Sequence, residues 1–152
     1  MTGADDDEFA TFMRDAEPRL RRALVAAYGS QRGRDATAEG LAWGWEHWAD
    51  VRDMANPVGY LYRVGRSRTR DRRRPIVFGR DDTPEPWVEP LLAGALASLS
   101  ERQRLAVVLV HGYGWTMAEF AELTGIRVTS VQNHLDRGLR RLRAALGVNG
   151  DD

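Results

Sequence analysis

Ser100 is followed three residues later by Gln103, and Thr116 by Glu119. Each pair is the signature in which a hydroxyl and a carboxyl or amide side chain satisfy the orphan N–H groups at a helix start. Gly112, Tyr113 and Gly114 lie between the two signals, and Gly125 follows the second. This punctuation predicts one helix from Ser100 to Gly112 and a short one from Thr116 closed by Gly125. A longer helix follows, from about Val128 to Leu146, with Val131, Leu135, Leu139, Leu142 and Leu146 recurring at helical spacing. A short capped helix, a glycine turn and a long helix opening on polar residues are the parts of a helix-turn-helix. Ala121 is small enough to let its two helices approach closely.

The rest of the chain also reads as helix, and no strand pattern stands out. Phe9, Phe12, Met13, Leu20, Leu24 and Tyr28 sit at helical spacing, with a kink or fresh start expected at Pro18. Gly29, Ser30 and Gly33 are expected to end that segment. A second helix is expected from near Asp35 to about Asp50, with Leu41, Trp45 and Trp48 on one face. Asn56-Pro57 reads as an N-cap followed by proline at the first helical position. That third helix should reach about Arg74, where Pro75 stops it. Residues 75–86 hold three prolines and little periodicity, which predicts a linker. From Trp87 to Leu99, a further helix would carry Leu91, Leu92, Ala95, Leu96 and Leu99. The expected fold class is all-α. Two small helical domains, 1–74 and 87–152, are joined by 75–86, and the second is the helix-turn-helix. Each is small enough to be marginally stable alone.

Composition narrows the function. Net charge is zero, which by itself argues against a nucleic-acid binder, but the distribution of charge points the other way. Residues 1–17 hold six acids and one Arg. Between Tyr60 and Arg74 lie seven Arg against Asp71, and from Arg127 to Arg143 five more against Asp136. Two basic blocks far apart in sequence are two electrostatic footprints. The chain has no cysteine, so disulfides, thiol catalysis and thiolate metal sites are excluded. His47, His111 and His134 are dispersed, with no pair at the spacing of a zinc helix. Ser100 and Thr116 serve as caps rather than nucleophiles, so no enzyme, cofactor or metal is expected. No segment is apolar enough to span a membrane, and the acidic start is unlike an export signal, so a cytoplasmic protein is expected.

Two segments carry candidate chemistry. Val128, Thr129, Ser130, Gln132, Asn133 and His134 occupy the first turns of the last helix, where they reach base edges if that end enters the major groove. Arg137 and Arg141 sit farther along, where phosphate contacts are expected. A plain helical hairpin with a solvated Arg face fits the same residue types. The second segment, Pro57 to Arg74, mixes aromatics with cations, which suits phosphates and unstacked bases. A solvated charge run above a core of Leu61 and Val64 is an equal reading.

Beyond residue types, Asn56-Pro-Val-Gly-Tyr-Leu-Tyr-Arg-Val-Gly-Arg-Ser, then Asp71-Arg72 and Arg74, resembles region 2 of the extracytoplasmic-function sigma factors. So does Ala38-Glu39-x-Leu41. The stretch Leu99-Ser-Glu-Arg-Gln-Arg104, then Gly114-Trp-Thr-x-Ala-Glu119, then Val131-x-x-x-Leu135-x-Arg137, resembles region 4. Both come in the right order over about residues 7–147. The resemblance implies a factor that brings core RNA polymerase to promoter DNA. Its first domain would bind the polymerase and melt the minus-ten element, and its last helix would read the minus-thirty-five element. Tyr60, Arg63, Arg66, Ser67, Asp71, Arg72 and Arg74 would then face the melted promoter, and Val128 to Arg137 the upstream element. Glu39, Gly40 and Trp43 would lie on the polymerase-binding helix. Trp43 is either a partner anchor or a half-buried aromatic, with burial the more usual fate. An anti-sigma factor is common in the family and belongs among the implied partners. Gly40 and Trp43 replace an acid and a Gln usual there, so the alternative is a stand-alone helix-turn-helix regulator that has lost polymerase binding. A protein-binding helical adaptor is a third reading.

Overall fold

The computed structural model describes residues 2–69 and 90–148. Asp71, Arg72, Arg74, the 75–86 stretch and Trp87 lie outside them. Among the described residues the regular elements are all helices: α1 (Gly3–Tyr28), α2 (Ser30–Glu46), α3 (Trp48–Val51) and α4 (Pro57–Arg68) form a first unit. The second comprises α5 (Pro90–Ala97), α6 (Glu101–Ala106), which continues as a π-helical segment over Val107–Gly112, α7 (Met117–Thr124) and α8 (Val128–Ala145).

The first unit corrects the expected helix boundaries: no fresh start occurs at Pro18, and the second helix begins and ends earlier than expected. Pro18 lies inside α1, which runs on to Tyr28. Proline cannot donate to the carbonyl four residues back. Here Leu20, Ala23, Leu24, Ala26 and Ala27 beyond it are almost fully buried, and that burial holds the segment helical. Only Gly29, at φ +86°, stands between α1 and α2, and α2 starts at Ser30 rather than near Asp35. Gly33 does not end a helix. It is buried within α2, where a methyl group would lie 2.4 Å from Val25 Cα. The second helix also stops short of Asp50, because His47 interrupts it before α3.

Small residues, not Leu41 and the tryptophans, form the buried face of α2: Gly33, Ala36, Thr37, Gly40 and Gly44. They bring α1 and α4 close, and a methyl on Gly65 of α4 would sit 2.6 Å from the Ala36 carbonyl oxygen. Trp48 is buried against Phe9 and Phe12, whereas Trp45 stays 37% exposed, edge-on to Phe9.

In the second unit the predicted punctuation appears atom for atom. Ser100 Oγ accepts from the Gln103 N–H and Gln103 Oε1 from the Ser100 N–H, both at 3.2 Å. Gly125 closes α7 at φ +73°, its N–H bonded to the Ala121 carbonyl at 2.8 Å. Gly138 packs on Gln103, so α8 lies tight against α6. Leu91, one of the apolar residues of the expected helix, is 81% exposed, whereas Ala95, Leu96 and Leu99 are buried.

One contiguous buried cluster runs through both units, from Phe9, Leu20 and Leu24 to Leu105, Trp115, Phe120 and Leu135. Its polar centre is Arg104, 1% exposed. The last carbonyls of an α-helix lack intrahelical partners and favour a cation, and α1 has no basic residue in its last turn. Arg104 supplies it from the other unit. Its Nε donates to the Ala26 carbonyl at 3.1 Å, another guanidinium nitrogen to Ala27, and a third to Leu99 at 2.9 Å.

Candidate nucleic-acid interface

Thr116 Oγ1 accepts from the Glu119 N–H at 3.0 Å and Glu119 Oε1 from the Thr116 N–H at 3.2 Å, which fixes the start of α7. Phe120 and Leu123 on α7 meet Val131 and Leu135 on α8 in the core. That contact turns the first turns of α8 outward. Thr129, Gln132, Asn133 and Arg137 are exposed, Val128 is 47% exposed, and Ser130 and His134 are half-buried. Arg127, the N-cap of α8, makes no side-chain cap bond, and the positive end of the helix dipole faces the same way as these side chains. Burial favours the neutral form of His134 and lowers its pKa, and Arg102 and Arg137 push in the same direction. Arg141 departs from this set. Its guanidinium donates to Gln103 Oε1 and to the Ser98 carbonyl, each at 3.3 Å, so it braces α8 against its own unit.

On the first unit, α4 starts as predicted: Asn56 Oδ1 accepts from the Gly59 N–H at 3.0 Å and Pro57 opens the helix. Leu61, Tyr62 and Gly65 are buried. Burial raises the pKa of the Tyr62 hydroxyl, and the Glu101 charge adds to the rise. Tyr60, Arg63 and Ser67 are exposed and gather round Trp43. The Trp43 indole is half-buried, stacked on His47 with centroids 4.1 Å apart, and 5.3 Å from the Tyr60 ring. With Val64 and Arg68 they line an open depression of about 340 Å³. An aromatic wall with cations at its rim can hold an unstacked base.

The structure does not bring all the expected residues together. Arg66 points away from that depression, to Glu101 of the second unit. Gly40 belongs to the packing rather than to a partner surface: it is buried, and a methyl there would lie 2.9 Å from the Leu61 carbonyl oxygen. Glu39 is exposed and pairs with Arg68 at 3.4 Å. Sequence reasoning overlooked Arg68 and His47. The separation of Trp43 and His47 by four residues, which stacks side chains on one helix face, was the available signal for His47.

Residues 91–142 match the family described as Sigma-70, region 4. The ECF RNA polymerase sigma factor SigL of Mycobacterium tuberculosis strain H37Rv is 30% identical over an alignment of 143 residues, spanning 83% of this chain and 81% of that factor. SigL from the strains CDC 1551 and ATCC 35801 / TMC 107 / Erdman matches equally. The chain belongs to the extracytoplasmic-function sigma factors. Such factors direct core RNA polymerase to specific promoters to start transcription, and this assignment is favoured over a stand-alone regulator. The fold agrees: the sigma factor RpoE, solved with the anti-sigma factor NepR from Bartonella quintana, superposes with a TM-score of 0.67 over 93% of this chain and 98% of that one, at 18% identity. Among the described residues no helix of this sigma factor is long and apolar enough to cross a membrane.

Proposed function

We propose that this sigma factor reads its promoter with two surfaces. The first turns of α8 would enter the major groove of the minus-thirty-five element, and the Trp43–Tyr60 depression would take an unstacked base of the melted minus-ten element. The observation that carries this reading is the exposure of Thr129, Gln132, Asn133 and Arg137 on a helix held rigidly from behind by Val131 and Leu135. Val128, Ser130 and His134 flank them. Arg63 and Ser67 line the second surface, and Arg66, Asp71, Arg72 and Arg74 are assigned to the melted strand on the resemblance to region 2. The outer side of α2 around Glu39 is the surface we assign to the polymerase, with the Trp43 ring turned to the depression instead, and Gly40 serves it from within by setting the helix spacing. The domains 1–74 and 87–152, with 75–86 between them, would divide these tasks in the cytoplasm without catalysis. By analogy with the RpoE–NepR complex, an anti-sigma factor is a further partner of this chain.

The test is a pull-down of core RNA polymerase with the purified protein, followed by run-off transcription on a genomic promoter library. New promoter-specific transcripts are expected. Arg137→Ala should weaken upstream-element binding by about 1–3 kcal/mol and relax specificity there if Arg137 contacts a base. Arg141→Ala should leave DNA affinity nearly unchanged, since that guanidinium is engaged within the unit. Equal effects of the two variants would remove the assignment of Arg137.

A further inference from the structure

Trp43 replaces a polar residue usual on the polymerase-binding helix, and its ring turns to α4. The indole is held by its own helix. His47 stacks on it with the planes 13° apart, and His47 Nδ1 lies 2.9 Å from the Trp43 carbonyl oxygen. A carbonyl only accepts, so Nδ1 carries the proton and the imidazole is tied in place. Tyr60, near the start of α4, meets the indole at 39°. Arg63, Val64, Ser67 and Arg68 complete the lining of the depression, at the three- and four-residue spacing that shares one helix face.

The polar side chains of that lining are short of acceptors. Arg63 and Arg68 only donate, while the Tyr60 and Ser67 hydroxyls do either, and among the described residues no carboxylate lines the depression. Glu39 anchors one Arg68 nitrogen from the rim at 3.4 Å. The planar guanidinium keeps further donors in its fixed fork. We propose that the depression selects guanine, with Arg68 donating to O6 and N7 of a base lying on the Trp43–Tyr60 wall. The inference rests on the reading of this depression as the site of an unstacked minus-ten base, and adds which base it takes. Guanine shows two adjacent acceptors on that edge, whereas adenine sets a donor beside N7, cytosine shows a donor, and thymine sets a methyl beside its one oxygen. Cytosine does carry adjacent N3 and O2 acceptors on its pairing edge, but its single ring covers less of the aromatic wall. At about 340 Å³ the depression has room for the two-ring base.

The test uses the holoenzyme assembled from core RNA polymerase and the full chain, on a promoter from the run-off library with an artificial bubble over its minus-ten element. 2-Aminopurine is placed at each non-template position of the bubble in turn. Quenching that Tyr60→Ala relieves marks the base held on the wall. At that position guanine should compete about tenfold better than adenine, cytosine or thymine. 7-Deazaguanine, which lacks the N7 acceptor, should lose most of that preference. Arg68→Lys keeps the charge and loses the fork. The guanine preference should then fall below about threefold while affinity for the other three bases holds. Equal binding of all four bases, or a preference for another base, overturns the inference while the base-holding depression stands. An equal loss for all four bases in Arg68→Lys also overturns it, by making Arg68 a phosphate contact. If no position shows quenching that depends on Tyr60, the depression falls as a base site, and the guanine preference falls with it.

Discussion

Arg104 shows how far a residue's role can stand from its sequence context. It lies in a stretch, Glu101-Arg-Gln-Arg104, that reads as a charged helix start, yet two of its acceptors are carbonyls 77 and 78 residues earlier. No side-chain pattern advertises a backbone carbonyl as a partner, so the capping hydroxyls of the same helix were legible and this guanidinium was not. Truncation to Arg104→Ala leaves buried carbonyls without their charged donor, a loss of about 3 kcal/mol that a shift in the urea unfolding midpoint would register. Tyr28 gives a second expectation. Burial, then the Glu101 charge, raises its hydroxyl pKa from 10.0 to about 12. The fold favours the neutral phenol, so its stabilisation is complete below pH 10 and is lost as pH rises towards 12. Tyrosinate absorbance should therefore show Tyr28 and Tyr62 titrating above the ordinary tyrosine value of 10.0, with stability falling across that window. A single tyrosine transition near the ordinary value would contradict the buried contact with Glu101.

At the scale of elements, sequence signals worked wherever they act within one turn of chain. Thr116 with Glu119, Asn56 with Pro57 and Gly125 all cap the helices they were expected to cap, because each bonds to a backbone group within four residues. The tertiary uses of the same residue types were illegible. Gly33 looks like a helix breaker locally, but its missing side chain is needed for the crossing of α1 and α2. Nothing short-range distinguishes the two uses. In an isolated helix alanine would be favoured over glycine by about 1 kcal/mol. Gly33→Ala in this protein should do the opposite and destabilise by about 2–3 kcal/mol, because Val25 backbone atoms cannot move aside. Thermal unfolding of Gly33→Ala beside Gly3→Ala, a position with nothing within 4 Å, separates packing from propensity. If both variants shift alike, the two helices cross less tightly than these distances imply.

For the whole molecule, two helical units and the arginine-rich block in each were readable, but their shared core was not, because contacts such as Arg66–Glu101 and Asn56–Glu122 join residues far apart in the chain. The same distribution of charge governs how the molecule meets DNA. Net charge is zero, and the acids of α1 are partly neutralised at home, with Arg52 bridging Asp5 and Glu8 at 3.0 and 2.9 Å. Long-range attraction to a polyanion is therefore weak, and fields from exposed charges fade over about 10 Å at 0.1 M salt. What remains is local: exposed arginines such as Arg63, Arg127 and Arg137 displacing counterions where they touch phosphate. With about three such contacts, affinity for a mixed-sequence duplex should fall roughly 40-fold between ~0.05 and ~0.2 M salt. Arg137→Ala should flatten that dependence by about one contact. Anisotropy titrations across salt concentrations check both. A slope near zero in the intact protein would mean that the arginine faces only solubilise the helices, as in a protein-binding adaptor, and both proposed DNA surfaces would fall with it.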